Sequence, residues 1–212
     1  MQSGSDTLPQ QQKRAFWLRH LHQWHWISSA VCLIAMLLFA ATGITLNHSA
    51  QIEAHPAVST KNGHLPFALL KQLQTARDKE EAVLPAEVVD WLAQDLGIKI
   101  NEQSPEWSPE EAYIALPRPG GDAWLRIALD NGDVEYELTS RGWIAYFNDL
   151  HKGRNTGTAW TWFIDIFAAS CLIFCITGLF LLKMHARNRP STWPVVMFGL
   201  VLPLVLALVF IH

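Results

Sequence analysis

Apolar residues fall into three long runs along this chain, and a stretch of mixed polarity separates the first run from the second. No Asp, Glu, Lys or Arg lies between Arg19 and Glu53, only Asp165 lies between Arg154 and Lys183, and none follows Arg189. Each of these gaps exceeds the roughly 20 residues that a helix needs to cross a bilayer. The pattern predicts three transmembrane α-helices over 26–46, 159–182 and 193–211. Around them it places a cytoplasmic tail at 1–25, a translocated domain at 47–158 and a cytoplasmic loop at 183–192. Trp24 and Trp26, Trp160 and Trp162, and Trp193 stand at span ends, where amphipathic rings settle among headgroups. The first run is too long for a signal-peptide core and reads as an anchor. Pro203 falls inside the third span, where neighbouring helices tolerate it.

Lysine and arginine set the expected orientation. Lys13, Arg14 and Arg19 precede the first span against Asp6, and Lys183, Arg187 and Arg189 follow the second with no acid. Both segments are therefore expected on the cytoplasmic side, with the C-terminus outside. The 47–158 stretch carries 17 acidic and 10 basic residues, a local charge of −7, as a translocated domain should. Lys152 and Arg154 sit on the outer side of the second span, against the rule. Two readings stand for them, contact with lipid headgroups and recognition of an anionic partner.

Within 47–158 the pattern is α+β. Residues 66–77 and 85–96 have helical spacing, the second with Pro85 at its start and Gly97 as its stop. Residues 112–117, 123–129 and 134–139 read as short strands, divided by Pro119-Gly120-Gly121-Asp122 and Asp130-Asn131-Gly132-Asp133. Asn-Gly is a two-residue hairpin signal. His55 and His64 lie in a polar entry segment and read as solvated loop residues.

Composition narrows the class. Half of the 212 residues are hydrophobic, 17% are charged, and the net charge is −3. A soluble domain carries nearer a quarter charged residues. This excludes a soluble enzyme, and the near-neutral balance offers no nucleic-acid footprint. Cys32, Cys171 and Cys175 fall inside the apolar runs, where they pack as small hydrophobes rather than build a disulfide scaffold.

The histidines gather at span ends. His20, His22 and His25 precede the first span and His48 follows it; His151 precedes the second and His185 follows it. Two facing layers are expected, an outer one of His48 with His151 and an inner one of His22 or His25 with His185. Paired neutral imidazoles on facing helices suit axial ligation of a haem iron, with the macrocycle in an apolar slot. The haem would be non-covalent, since no C-x-x-C-H sequence is present. A zinc or copper site would gather three or four ligands, and interfacial histidines that bind nothing are the other reading. His25 and His48 are 23 residues apart, about 35 Å of helix, so they cannot serve one haem. Gly153 and Gly157 should break the run between His151 and the second span. Thr42-Gly43 in the first span and Thr177-Gly178 in the second echo each other, as in a small inverted repeat. Asp165 is either a proton-relay or hydrogen-bonding acid or an interfacial one satisfied by Thr161.

The segment from Leu21-His22-Gln23-Trp24 to Thr42-Gly43-Ile44-Thr45-Leu46-Asn47-His48 resembles the opening helix of PepSY-associated transmembrane proteins of bacteria. Leu150-His151-Lys152-Gly153-Arg154, followed by Trp162-Phe163-Ile164-Asp165 and Thr177-Gly178-Leu179, resembles their helix after the periplasmic domain. Residues 85–139 are similar to a PepSY module. The resemblance implies a bacterial inner-membrane protein in which the small α+β domain between the first and second of the three transmembrane helices is PepSY-like and periplasmic; with three spans and one short periplasmic domain this chain departs from the larger reductases of the wider family. Some members of the wider family are siderophore-iron reductases with b-type haems, which implies one or two haem b groups here. His22, His48 and His151 are the implied ligands, with His25 and His185 beside them. The implied function is electron transfer to the periplasmic side, plausible as reduction of ferric siderophore iron or as service to a partner that does so. No flavin or nicotinamide domain fits the short cytoplasmic segments, so a quinol or a separate reductase would be the donor. The alternative is a non-redox PepSY module that binds or restrains a periplasmic protein. A metal-ion transporter would need more polar groups in its spans than Asp165.

Overall fold

The computed structural model describes residues 8–53, 55–101 and 103–211; Asp6 lies outside them. In chain order the elements are α1 (Leu8–Asn47), β1 (Ala57–His64), α2 (Phe67–Asp78), α3 (Ala86–Asp95), β2 (Glu106–Trp107), β3 (Glu111–Ala115), β4 (Gly121–Ala128), β5 (Asp133–Ser140), α4 (Gly142–Lys152), α5 (Thr158–His185) and α6 (Thr192–Phe210). They form two compact units, Met1–Leu37 with Trp162–His212, and Leu38–Thr161.

α1, α5 and α6 are each long and apolar enough to cross a membrane. α1 begins well before residue 26, because Gln10 to Trp26 contains no Gly, Pro or β-branched residue to interrupt it. α5 runs to His185, and Lys183 in its last turn complements the negative end of its dipole. A short 3₁₀ turn, Ala186–Asn188, leads to α6. α6 buries none of its residues against protein, and its mean hydropathy is high on every side, as expected of a helix solvated by lipid.

The second unit is built on a five-stranded antiparallel sheet of order β1-β5-β4-β3-β2. Strict alternation along β4 sends Ala123, Leu125 and Ile127 inward and leaves Asp122 and Arg126 exposed. The register sets Leu125 opposite Ile114 on one side and Tyr136 on the other. This face buries Leu70 and Leu73 of α2 and Val88 and Leu92 of α3.

Two details depart from expectation. β1 is a strand, although Ala57 to His64 lacks apolar alternation; it is an edge strand whose ladder to β5 needs only backbone groups. His64 therefore stands in a strand rather than a loop, 3.1 Å from Asp133, its register partner. The β4–β5 connection is longer than two residues: Gly132, at φ 82°, closes it with its N–H on the Ala128 carbonyl. As expected, Gly153 at φ 64° and Gly157 at φ 77° break the run before α5, and the separate segment that carries His151 is the helix α4.

The tip between β3 and β4 ties α4 to the sheet. Gly120 has φ 71°, and a Cβ there would lie 2.7 Å from Tyr146 Cα. Its N–H donates to the Asp149 carboxylate at 2.9 Å, and its carbonyl accepts from the Arg141 N–H at 2.8 Å. Gly120→Ala should therefore cost about 2–4 kcal/mol, from overpacking and left-handed backbone together. Denaturant titration of the full chain in detergent would show a lower midpoint; an unchanged midpoint would refute the close approach.

Candidate functional site

Two groups of histidines converge with residues of another helix, one in each unit. In the first, His22 of α1 and His185 of α5 bring their rings to 6.1 Å between centroids, at 88° between planes. His22 Nδ1 lies 2.8 Å from the Leu18 carbonyl, and His185 Nδ1 lies 2.8 Å from the Leu181 carbonyl. A carbonyl only accepts, so each Nδ1 carries the proton and each neutral ring keeps its Nε2 lone pair. His20 makes the same bond to Phe16, at 3.0 Å, but stacks on that phenyl ring instead of meeting a second imidazole. A cavity of about 680 Å³ adjoins the pair and is bordered by His22, His25, Gly178, Leu181, His185 and Arg189.

His25, one helical turn from His22, is directed elsewhere. Its Nδ1 lies 3.0 Å from Thr177 Oγ1 and 3.2 Å from the Phe174 carbonyl, and its ring stacks on Phe174 at 4.6 Å. Of the two inner candidates, His22 is thus the one that faces His185.

In the second unit, His151 of α4 meets the end of α1. Its Nδ1 lies 2.7 Å from Thr42 Oγ1 and its ring packs on Phe39 at 4.7 Å. Beside it the Thr45 hydroxyl donates to Asn148 at 2.6 Å. His48 is exposed, with Nδ1 3.0 Å from the Ile44 carbonyl. It sits six residues beyond Thr42, about 9 Å along the helix. The structure therefore brings His151 to Thr42, and among the described residues His48 and His151 show no ring contact with each other.

The remaining candidates are peripheral to both groups. Asp165 is exposed on α5, and the Thr161 hydroxyl donates to the Gly157 carbonyl at 3.2 Å rather than to Asp165. Lys152 and Arg154 are exposed, at the end of α4 and just past it. Among the described residues no three of His, Cys, Asp and Glu converge to hold a metal ion. A set of two imidazoles is what a metal already held by a macrocycle requires, whereas zinc takes four protein or water ligands.

Sequence reasoning missed Phe39 and Phe174, the rings under the two histidines, although each stands three residues before its threonine. It also missed Asn148 and Asp149, because their partners lie more than 25 residues away in the chain.

Comparison with curated proteins and with solved structures gives no match. A family model does match, the PepSY_TM-like one, over residues 16–212, which takes in α1 from residue 16 onward, the whole of α5 and α6, the sheet and every histidine discussed above. The chain therefore belongs to the PepSY_TM-like family.

Proposed function

We propose that this membrane protein is an electron carrier that holds b-type haem at the inner cavity and serves an acceptor on the periplasmic side. The supporting observation is the facing pair His22 and His185, 6.1 Å apart between ring centres. His22 and His185 are the residues that would hold such a group, each through its Nε2. Both Nδ1 protons are already given to backbone carbonyls, the outer support that metal-ligating histidines usually have. Gly178 and Leu181 offer an apolar wall, and the Arg189 cation at the rim suits a carboxylate. The volume is within the range of cofactor sites.

A haem held there supplies reversible one-electron chemistry. His22 and His185 would orient it, while Leu181 and Leu182 keep water from its face. His48 and His151 each also engage Nδ1, and so are the available donors for a second such group. The acceptor that suits exposed Lys152 and Arg154 is an anionic ferric chelate, reduced by one electron to its ferrous form. That electron comes from a quinol or a separate reductase.

Protein purified in detergent from haem-sufficient cells should be red, with Soret and α bands that respond to dithionite. A colourless preparation overturns the reading and favours a non-redox module. A second measurement tests the acceptor. The reduced protein should be reoxidised by a negatively charged ferric siderophore, several-fold more slowly after Lys152→Gln with Arg154→Gln or at raised salt. Rates that ignore charge and salt would remove the steering role, and no reoxidation by any ferric chelate would exclude that acceptor class.

A further inference from the structure

The surroundings of His25 and of His151 are the same arrangement built twice. Each histidine rests on a Phe-x-x-Thr-Gly segment of another helix, Phe174 to Gly178 for His25 and Phe39 to Gly43 for His151. In both, the ring packs on the phenylalanine, Nδ1 meets the threonine hydroxyl, and Cε1 faces the glycine. The roles of the helices are exchanged: α1 supplies His25 and the segment that receives His151, while α5 receives His25.

The direction of each hydrogen bond follows from proton counting. A threonine hydroxyl has one proton. Thr177 gives its proton to backbone carbonyls, 2.7 Å to Ile173 and 3.0 Å to Phe174. Thr42 does the same, 2.8 Å to Leu38 and 3.1 Å to Phe39. Each Oγ1 therefore accepts, and the histidine Nδ1–H donates. The bond to the Phe174 carbonyl independently fixes the same tautomer for His25. Nε2 is left in each ring as an unprotonated donor atom. Glycine is needed where the ring comes closest: a Cβ at Gly178 would sit 3.3 Å from His25 Cε1, tighter than ordinary contact, whereas one at Gly43 would sit 3.8 Å from His151 Cε1.

We propose that the two Phe-x-x-Thr-Gly segments are matched histidine seats, in which Thr177 and Thr42 are positioning residues that hold His25 and His151 as Nδ1–H tautomers with Nε2 presented. At the inner cavity the seat also decides between neighbouring histidines. His22 and His25 both border it, and the seat keeps His25 turned to Phe174 while His22 meets His185. This last consequence rests on the haem reading; the seats themselves do not.

The test uses the full chain in detergent, first without haem, labelled with ¹⁵N-histidine. Long-range nitrogen–proton correlations should report Nδ1–H for His25 and His151. Thr177→Val should move the His25 signals and Thr42→Val those of His151, each leaving the other unchanged, and Thr→Ser should restore them. Gly178→Ala should disturb His25 more than Gly43→Ala disturbs His151. An Nε2–H tautomer at either residue, or valine variants with unaltered histidine signals, would overturn the seats. In haem-loaded protein Thr177→Val should shift the midpoint potential or the ligand-field bands of the inner site. Altered histidine signals in a protein that takes up no haem when haem is supplied would uphold the seats and reject the haem reading. Altered signals with unchanged haem spectra and potential would reject only the ligand-selecting role.

Discussion

If the cavity beside His22 and His185 holds haem as proposed, His22→Ala and His185→Ala are each expected to abolish its low-spin spectrum. The two rings face each other at 6.1 Å, and no other histidine pair among the described residues shows ring contact. On that proposal either change removes one of the two residues that would hold the haem, so haem occupancy should fall by more than the roughly 10- to 100-fold typical of losing an outer-shell partner. His20→Ala is the matched control. His20 lies half a turn away, makes the same Nδ1 bond to a carbonyl, and meets no second imidazole. Its variant should keep the wild-type spectrum. Absorption and electron paramagnetic resonance spectra of the three proteins decide the matter. Full low-spin signal in both His22→Ala and His185→Ala would place the ligands elsewhere.

Asp149→Ala should loosen α4 from the sheet. Asp149 is 7% exposed, and its carboxylate accepts the Gly120 N–H at 2.9 Å, with the Arg141 guanidinium 3.8 Å away. A charge-assisted bond is lost, and a buried N–H is left without a partner, which together cost about 2–4 kcal/mol. Because α4 carries Asn148, Asp149 and His151 within one turn, the loss should loosen His151 from Thr42 as well. Hydrogen exchange of the intact protein should show faster exchange across α4 and at Gly120. Asp149→Asn keeps an acceptor and should lose about half as much. Exchange that is unchanged in Asp149→Ala would mean that other contacts hold α4 in place.

Periodicity alone located the three long helices, because a charge-free run of that length has no stable place except in lipid. The same applies to α2, α3 and strands β3 to β5, whose alternation or helical spacing matches the face they bury. β1 escaped such reading, since an edge strand binds by its backbone and its side chains carry no signature. The length of the β4–β5 turn also escaped it: Gly132 is necessary for the left-handed position, but the number of residues in the loop depends on where the ladder stops.

For the site, the histidine positions at span ends and the repeated Thr-Gly pair were legible in the residues themselves. Which histidine meets which partner was not. His22 and His25 are both placed on α1 within one turn, and composition treats them alike; packing turns His22 to His185 and His25 to Thr177. Likewise His48 and His151 look equivalent along the chain, yet His151 reaches Thr42 while His48 bonds within its own helix. The sequence by itself determined the membrane-spanning architecture and the supply of imidazoles, because hydrophobic length and residue type are local properties. Only the tertiary structure decided the partnerships, because a side-chain hydrogen bond across 109 or 152 residues depends on helix rotation and register, which no local pattern encodes.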